Sequence, residues 1–178
     1  MPYLASAVVA VGALGLVNLL LTLAVIRRLR QHTELLSNRP AAPEGGVLAV
    51  GERPADVATV DTDGLPVTIG PDGPRLVGFF SPECQPCKTK LPDFVAQVTG
   101  YPGGRQRVLA VVAGDTSGSA DFTGALIGVA RVVVEPADGP LTTAFQVSGF
   151  PAWCVLDEHG VVQHSAVGLD RLPVPVAP

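Results

Sequence analysis

The stretch "LVGFFSPECQPCKTKLP", residues 76–92, decides the fold of this chain. It begins with a continuous apolar run, Leu76–Phe80, as expected for a strand buried on both faces. From Cys84 to Val98 the apolar residues recur at helical spacing, which predicts a helix after that strand. Two of the three cysteines, Cys84 and Cys87, therefore lie where a strand ends and a helix begins.

Short apolar runs alternate with helical stretches around this segment. A predicted hairpin, 57–60 and 67–69 around "DTDG", precedes it. After it come predicted strands at 108–113 and 132–134, helices at 120–130 and 141–147, and a closing hairpin at 152–156 and 161–166. Strands that alternate with helices predict an α/β domain with parallel strands at its centre.

The N-terminal part of the chain has the properties of a membrane anchor. No charged residue occurs from Pro2 to Ile26, and about 20 apolar residues suffice to cross a bilayer core as a helix. No Lys or Arg precedes this run and no small-residue site ends it, unlike a cleaved signal peptide. We expect a transmembrane helix with a juxtamembrane extension over 1–36, a linker over 37–46, the domain over 47–168 and a flexible tail over 169–178.

Charge is divided unevenly between these parts. Residues 1–40 carry four arginines and one glutamate, whereas the remainder carries 8 basic and 15 acidic residues. An acidic domain without a basic stripe argues against nucleic acid as a partner. Arg27, Arg28 and Arg30 follow the apolar run, where they suit the anionic headgroups of a membrane surface.

The position of the two cysteines suits thiol–disulfide chemistry. A helix N-terminus offers Cys84 unpaired backbone N–H groups and the positive end of the helix dipole. Both favour a thiolate, which is the attacking species in disulfide exchange. Cys87 lies one turn later and is placed to resolve a mixed disulfide on Cys84, while Pro86 fixes the backbone between them.

Two other uses of the pair are disfavoured. Zinc sites usually take four ligands, and Cys154, His32, His159 and His164 provide no second pair at ligand spacing. A purely structural disulfide across so short a loop would restrict the unfolded chain little. We therefore expect no metal site and no cofactor.

A second segment raises the likelihood of a redox site. "VSGFPAWCVLD", residues 147–157, places Pro151 at the start of a predicted strand, where proline is tolerated and where a cis proline is usually a deliberate feature. The strand "LVGFF", the motif "CQPC", Lys88 after it, Pro92 within the helix and "GFP" before a late strand together resemble the thioredoxin superfamily.

The extra hairpin and the anchor narrow this resemblance to the TlpA/ResA-like thiol–disulfide oxidoreductases. "SPECQPCKTKLP" after an uncleaved anchor looks especially like the MauD-type accessory proteins. The resemblance covers roughly residues 50–168 and the anchor. It implies a thioredoxin-like fold, with a central mixed sheet flanked by helices and an added N-terminal β-hairpin. It also implies that Pro151 is cis and faces the cysteine pair, and that the backbone beside it pairs with an extended substrate segment.

The chemistry of the motif and the resemblance together give the candidate site residues. They are the catalytic Cys84 and Cys87, the substrate-binding Phe150 and Pro151, and the modulating Glu83, Pro86 and Lys88.

Several positions depart from the family pattern. Gly78 stands where thioredoxin has a buried aspartate, and Gln85 where ResA-like proteins have a glutamate, so the usual proton acceptor for Cys87 is missing. Glu83 stands where many relatives have a tryptophan. It either replaces the acid in part or is simply solvated, and it would disfavour a thiolate beside it. Ala152 follows the proline where a threonine is common.

Cys154 and Trp153 lie in the same predicted strand. Free cysteine is commonly a small buried hydrophobe, and we adopt that interpretation for Cys154 over a third redox role. Trp153 and Phe150 form either an apolar rim beside the cysteines or part of the core. Phe150 precedes Pro151 and is the better candidate for a substrate contact.

The predicted function is a membrane-tethered thiol–disulfide oxidoreductase that reduces disulfides of protein clients during maturation. Pro86 before the second cysteine, as in thioredoxin, favours reduction, and a membrane electron donor would restore the dithiol. The alternative is a thioredoxin-like redox chaperone or metallochaperone that holds client cysteines without turnover. A peroxiredoxin-type peroxidase would need a threonine-containing pocket, which "SPECQPC" lacks.

Two arguments conflict on the side of the membrane. The arginines follow the anchor and none precedes it, so the positive-inside rule places the domain in the cytoplasm. The family that the chain resembles works outside the cytoplasmic membrane, where disulfide traffic occurs. On that resemblance we expect an extracytoplasmic redox domain.

Overall fold

The structure, a computed structural model, describes residues 46–114 and 116–169 and the isolated helical positions Gly12 and Gly15. The predicted anchor otherwise lies outside the described residues, as do the linker up to residue 45 and the tail from residue 170. Within the described part of the chain, no helix combines the length and the hydropathy that a bilayer crossing requires.

In the described part of the chain, seven strands form two sheets. They are β1 (Thr59–Val60), β2 (Pro66–Val67), β3 (Leu76–Phe80), β4 (Val108–Ala113), β5 (Arg131–Glu135), β6 (Ala152–Leu156) and β7 (Val162–Val167). The main sheet has the order β5-β4-β3-β6-β7, in which β3, β4 and β5 are parallel and β6 and β7 antiparallel. β1 and β2 form a separate antiparallel hairpin. The predicted mixed sheet and extra hairpin are confirmed, although each hairpin strand is shorter than predicted.

Three helices and a short 3₁₀ turn, Gly104–Arg107, connect the strands. The helices are α1 (Gln85–Val98), α2 (Thr116–Leu126) and α3 (Pro140–Ala144). α1 begins as predicted and contains Pro92 in its interior. α3 ends earlier than predicted, and Gln146 just beyond it has a left-handed backbone with φ 51°.

α2 begins four residues before its predicted start. The segment around Gly118 is rich in small polar residues, which read as a loop in the sequence. In the fold it packs against Pro82, and a Cβ atom at Gly118 would lie 2.9 Å from the Pro82 Cβ. Close packing against another segment, which no local pattern reveals, therefore decides where this helix starts.

The two faces of the main sheet bury different cores. The first core lies under α1 and α2 and includes Leu76, Phe80, Cys87, Phe94, Val112, Phe122, Trp153 and Leu169. The second core lies under α3 and includes Val47, Leu48, Val77, Phe79, Val111, Phe145, Ala152 and Cys154. Leu169, the first residue of the predicted tail, is thus buried with the domain.

An ion pair holds the hairpin against β5. Asp61 is buried, its Oδ2 lies 2.7 Å from Arg131 Nε, and its Oδ1 accepts hydrogen bonds from the N–H groups of Asp63 and Leu65. Burial alone would raise the pKa of Asp61, but the Arg131 hydrogen bond and charge and the two N–H groups hold that pKa below its usual value. The ionised carboxylate therefore stabilises the folded domain.

Replacing Asp61 with asparagine is expected to lower the free energy of unfolding by about 2–4 kcal/mol, because Arg131 loses its partner in a site with little water. The folded-state pKa lies below the unfolded one, so the stabilisation is present above about pH 4 and is lost as the pH falls further. Urea unfolding at a series of pH values measures both effects.

The matched control is Asp63→Asn. Asp63 pairs with Arg105 at 2.6 Å, but its side chain is 37% exposed, so the expected loss is below about 1 kcal/mol. Equal losses in the two variants would contradict the importance that we assign to burial at Asp61.

Candidate active site

The cysteine pair lies at the edge of the sheet where β3 ends and α1 begins. Cys84 is the N-cap of α1, with an extended backbone, and Pro86 lies in the first turn. The Cys84 N–H donates to the Ser81 carbonyl, and its own carbonyl accepts from the Lys88 N–H. The helix start predicted at Cys84 is therefore present, with the positive end of a 14-residue helix at this sulfur.

The two sulfurs differ in exposure and in partners. Cys84 is half-buried, whereas Cys87 is completely buried in the first core. The Cys84 thiol donates to the Phe150 carbonyl at 3.2 Å, and the Ser81 N–H donates to the Cys87 sulfur at 3.4 Å. A client sulfur would therefore meet Cys84 first, with Cys87 behind it.

Burial governs the protonation of Cys87. It raises the pKa of this thiol to about 12. The neighbouring Cys84 thiol adds to this increase, and the hydrogen bond from the Ser81 N–H partly opposes it. At neutral pH Cys87 is a thiol in this form of the site. Of the two sulfurs, Cys84 is the one that is partly accessible to solvent.

The peptide bond between Phe150 and Pro151 is cis. The Pro151 carbonyl accepts a hydrogen bond from the Gly168 N–H, on the β7 side. The Phe150 carbonyl faces the other way, towards Cys84, and the Phe150 N–H has no hydrogen-bond partner among the described residues. Phe150 is half-buried between the two cores. The expectation that a cis Pro151 lies beside the cysteine pair is met.

The three residues predicted to modulate the thiols lie on the surface. Glu83, Pro86 and Lys88 are all exposed. Glu83 forms no hydrogen bond or ion pair with any described residue, whereas Cys87 is completely buried. Of the two interpretations of Glu83, the structure favours the solvated one.

Two aromatic rings lie against Gly78, the position at which thioredoxin has a buried aspartate. A Cβ atom at Gly78 would lie 3.0 Å from the Phe80 ring and 3.1 Å from the Phe94 ring, and these rings pack edge to face at 4.9 Å. Trp153 pairs with Gly78 across β3 and β6 and is buried in the first core. Trp153 is therefore core, and Phe150 remains the candidate for a client contact.

Cys154 lies on the other side of the sheet. It is completely buried in the second core, whereas Cys87 belongs to the first. Burial raises the pKa of Cys154 to about 12. The interpretation as a small buried hydrophobe fits this environment, and the sheet separates Cys154 from the pair.

Iodoacetamide near neutral pH is expected to alkylate Cys84 in the folded protein. Cys154 and Cys87 should react at least about a hundred times more slowly, because buried thiols form little thiolate. Mass spectrometry of peptides measures the three rates, and unfolding in urea should equalise them. Rapid modification of Cys154 in the folded protein would instead support a redox role for this third cysteine.

No group of three or more metal-ligating side chains comes together within the part of the chain that the structure describes. The sequence did not predict the hydrogen bond from the Ser81 N–H to the Cys87 sulfur. The "SP" dipeptide before the motif marks a turn, but its contact with sulfur depends on how α1 folds back over β3.

The chain matches no model of a known protein family and no curated protein. Solved structures do match. They include a proposed thiol:disulfide interchange protein DsbE from Chlorobium tepidum, with a TM-score of 0.54 and 20% identity over 68% of this chain and 86% of the other. The thioredoxin domain of a thiol-disulfide oxidoreductase from Bacteroides vulgatus gives 0.53 and 15% over 68% and 90%. A thio-disulfide isomerase from Thermus thermophilus gives 0.52 and 21% over 68% and 87%. The domain therefore has a thioredoxin-like fold.

Proposed function

On this thioredoxin-like fold, we propose that the protein is a thiol–disulfide oxidoreductase that reduces disulfides in protein clients. The observation that carries the proposal is the asymmetry of the cysteine pair. Cys84 is accessible at a helix N-terminus and contacts the Phe150 carbonyl, while Cys87 is buried one turn behind it. This asymmetry supports an attacking role for Cys84 and a resolving role for Cys87.

The reaction proceeds in two exchanges. The Cys84 thiolate attacks a client disulfide, forms a mixed disulfide and releases one client thiolate. Cys87, once deprotonated, attacks the Cys84 sulfur, and the bond to the client breaks with release of the second thiolate. The protein is left with a disulfide between Cys84 and Cys87, which a membrane electron donor reduces to the dithiol.

The client binds as an extended segment beside the cis proline. The Phe150 N–H has no hydrogen-bond partner among the described residues, and the Phe150 carbonyl lies against the Cys84 thiol. Both observations support pairing of this backbone with a client strand that approaches Cys84. The half-buried Phe150 provides an apolar contact next to the cysteine pair, beside Pro151.

Insulin reduction is expected to proceed catalytically with dithiothreitol as donor, and a Cys154→Ala variant should match the wild type. The reduction potential should lie nearer the roughly −270 mV of thioredoxin than the roughly −120 mV of a strong oxidant, consistent with Pro86 before the second cysteine. A potential near the latter value would reverse the proposed direction.

A second candidate function is a redox chaperone or metallochaperone that holds client cysteines without turnover. It is favoured by the apolar surroundings of Cys87, where Gly78 lies against two phenylalanine rings. Stoichiometric Cu(I) binding that depends on both Cys84 and Cys87, together with no insulin turnover, would establish it. Catalytic turnover would exclude it.

The proposal includes a membrane tether through Pro2 to Ile26, which is supported by the hydropathy of that segment. It also includes an extracytoplasmic domain, which is supported by the resemblance of the motifs. The likeness to MauD-type accessory proteins belongs to the same proposal. Intact cells would be reduced and treated with a membrane-impermeant maleimide, with Cys84→Ser as control. Cys84-dependent labelling before lysis is expected. Labelling only after lysis would place the domain in the cytoplasm, as the arginine distribution predicts.

A further inference from the structure

The surroundings of Cys87 pose a problem for the second exchange. Its sulfur must lose a proton before it attacks, yet it is completely buried. Its polar contacts within the described residues are the Ser81 N–H, which donates a hydrogen bond, and the Cys84 thiol. In a mixed disulfide the Cys84 sulfur is bonded to the client, so neither group then accepts the proton.

Among the described residues, Cys87 belongs to a core whose members are mainly apolar. The first core around this thiol is formed by Leu76 and Phe80 of β3, Phe94 of α1, Ala110 and Val112 of β4, Phe122 of α2 and Trp153 of β6. A Cβ atom at Gly78 would lie 3.0 Å from the Phe80 ring and 3.1 Å from the Phe94 ring, so a side chain at that position requires the rings to shift.

The titratable groups nearest in sequence lie elsewhere. Glu83 is exposed just before α1, and Lys88 is exposed on α1. Lys90 on the same helix is half-buried and pairs with the exposed Asp93, and Asp121 is exposed on α2. Glu135 faces the second core, where it accepts hydrogen bonds from the first turn of α3. Tyr101 belongs to the first core, but its charge interaction is with Arg75, which precedes β3 and so lies at the far end of that strand from the cysteines.

The geometry points to a resolving cysteine without an internal proton acceptor, so that the mixed disulfide with a client persists until a base from solution removes the Cys87 proton. This inference rests on the proposed function. In the step, hydroxide or a buffer base takes the proton from Cys87. The resulting thiolate forms a bond with the Cys84 sulfur, the bond from Cys84 to the client sulfur breaks, and the client leaves as a thiolate that is protonated by solvent. The electrons balance because one disulfide replaces another.

The consequence is a client held covalently for longer at low pH than at high pH. A protein of this kind releases its client in response to the proton activity of its compartment. Gly78 acts as a positioning residue. Because it has no side chain, the Phe80 and Phe94 rings can pack beside it and contribute to the apolar core that buries Cys87.

The test uses the full-length protein in detergent and the aromatic disulfide 5,5′-dithiobis(2-nitrobenzoate) as probe. Attack by Cys84 releases one coloured thiolate, and the subsequent attack by Cys87 releases a second. We expect a rapid first phase and a separate second phase whose rate constant rises about tenfold per pH unit from about pH 6 to about pH 9, since it follows the thiolate fraction of Cys87. Cys87→Ser should show only the first phase.

Two outcomes separate the inference from the function on which it rests. A second phase that levels off at or below about pH 8 would show an internal base and overturn the inference alone. Absence of a Cys84-dependent first phase would overturn the proposed function. Asp115 follows β4 after Gly114 in the sequence and lies outside the described residues, so Asp115→Asn is included. An unchanged second phase is expected, whereas a marked slowing would identify Asp115 as the acceptor and contradict the inference.

Discussion

Replacement of Cys84 by serine is expected to abolish client reduction, with a loss of more than about a thousandfold in turnover. A serine hydroxyl is not ionised near neutral pH and forms no disulfide, so neither the attack nor the mixed disulfide is possible. The helix should tolerate the change, because serine is a preferred N-cap residue and no side chain caps α1 in the wild type. Insulin reduction and urea unfolding of the same preparation separate chemistry from folding.

Cys87→Ser is the matched variant on the other side of the pair. It also stops turnover, but Cys84 can still attack the client disulfide. A covalent complex with the client should therefore accumulate, and it should disappear when reductant is added. Non-reducing electrophoresis measures it. A trapped complex with Cys84→Ser instead of Cys87→Ser would reverse the roles that we assign from their exposure.

The second large effect is expected at Gly78. Introduction of aspartate there should lower the free energy of unfolding by about 3–5 kcal/mol, because its Cβ meets the Phe80 and Phe94 rings and its carboxyl group is buried without a partner. Urea unfolding measures the loss. A loss below about 1 kcal/mol would show that the rings move aside and that the site accepts an acid after all.

Gly124 provides the control for this substitution. It is an exposed residue of α2, and a Cβ atom there meets no other atom within 4 Å. Gly124→Asp should therefore change the free energy of unfolding by no more than about 0.5 kcal/mol. A similar loss in both variants would mean that the effect at Gly78 comes from losing glycine itself and not from the rings.

Much of the fold was predictable because its signals are local. The bounds of β3, β4 and β6 agree with the apolar runs, since fully buried strands are continuous in hydrophobicity. α2 was predicted four residues too late, because its first turn consists of small residues without an apolar period, of which Gly118 lies against Pro82. Where a boundary depends on a contact between distant segments, hydrophobic periodicity does not show it.

The candidate site likewise has features that local sequence predicts and features that depend on contacts between distant segments. Alternation along a strand already implies that Trp153 and Cys154 point to opposite faces of the sheet. Which of them shares a face with the cysteine pair depends on the register, and the pairing of Gly78 with Trp153 puts Trp153 on that face. Cys154 is thus excluded from the site by strand pairing and not by its own sequence context.

By itself the sequence determined the strand and helix around the cysteine pair, the position of Cys84 at the helix start and the proline before β6, because each depends on residues close together in the chain. Only the tertiary structure decided that Cys87 is completely buried, that the Phe150 carbonyl accepts from Cys84, and that phenylalanine rings fill the space beside Gly78. The physical reason is that burial and contact depend on strand register and helix packing, which bring residues as far apart as Cys84 and Phe150 within 3.2 Å.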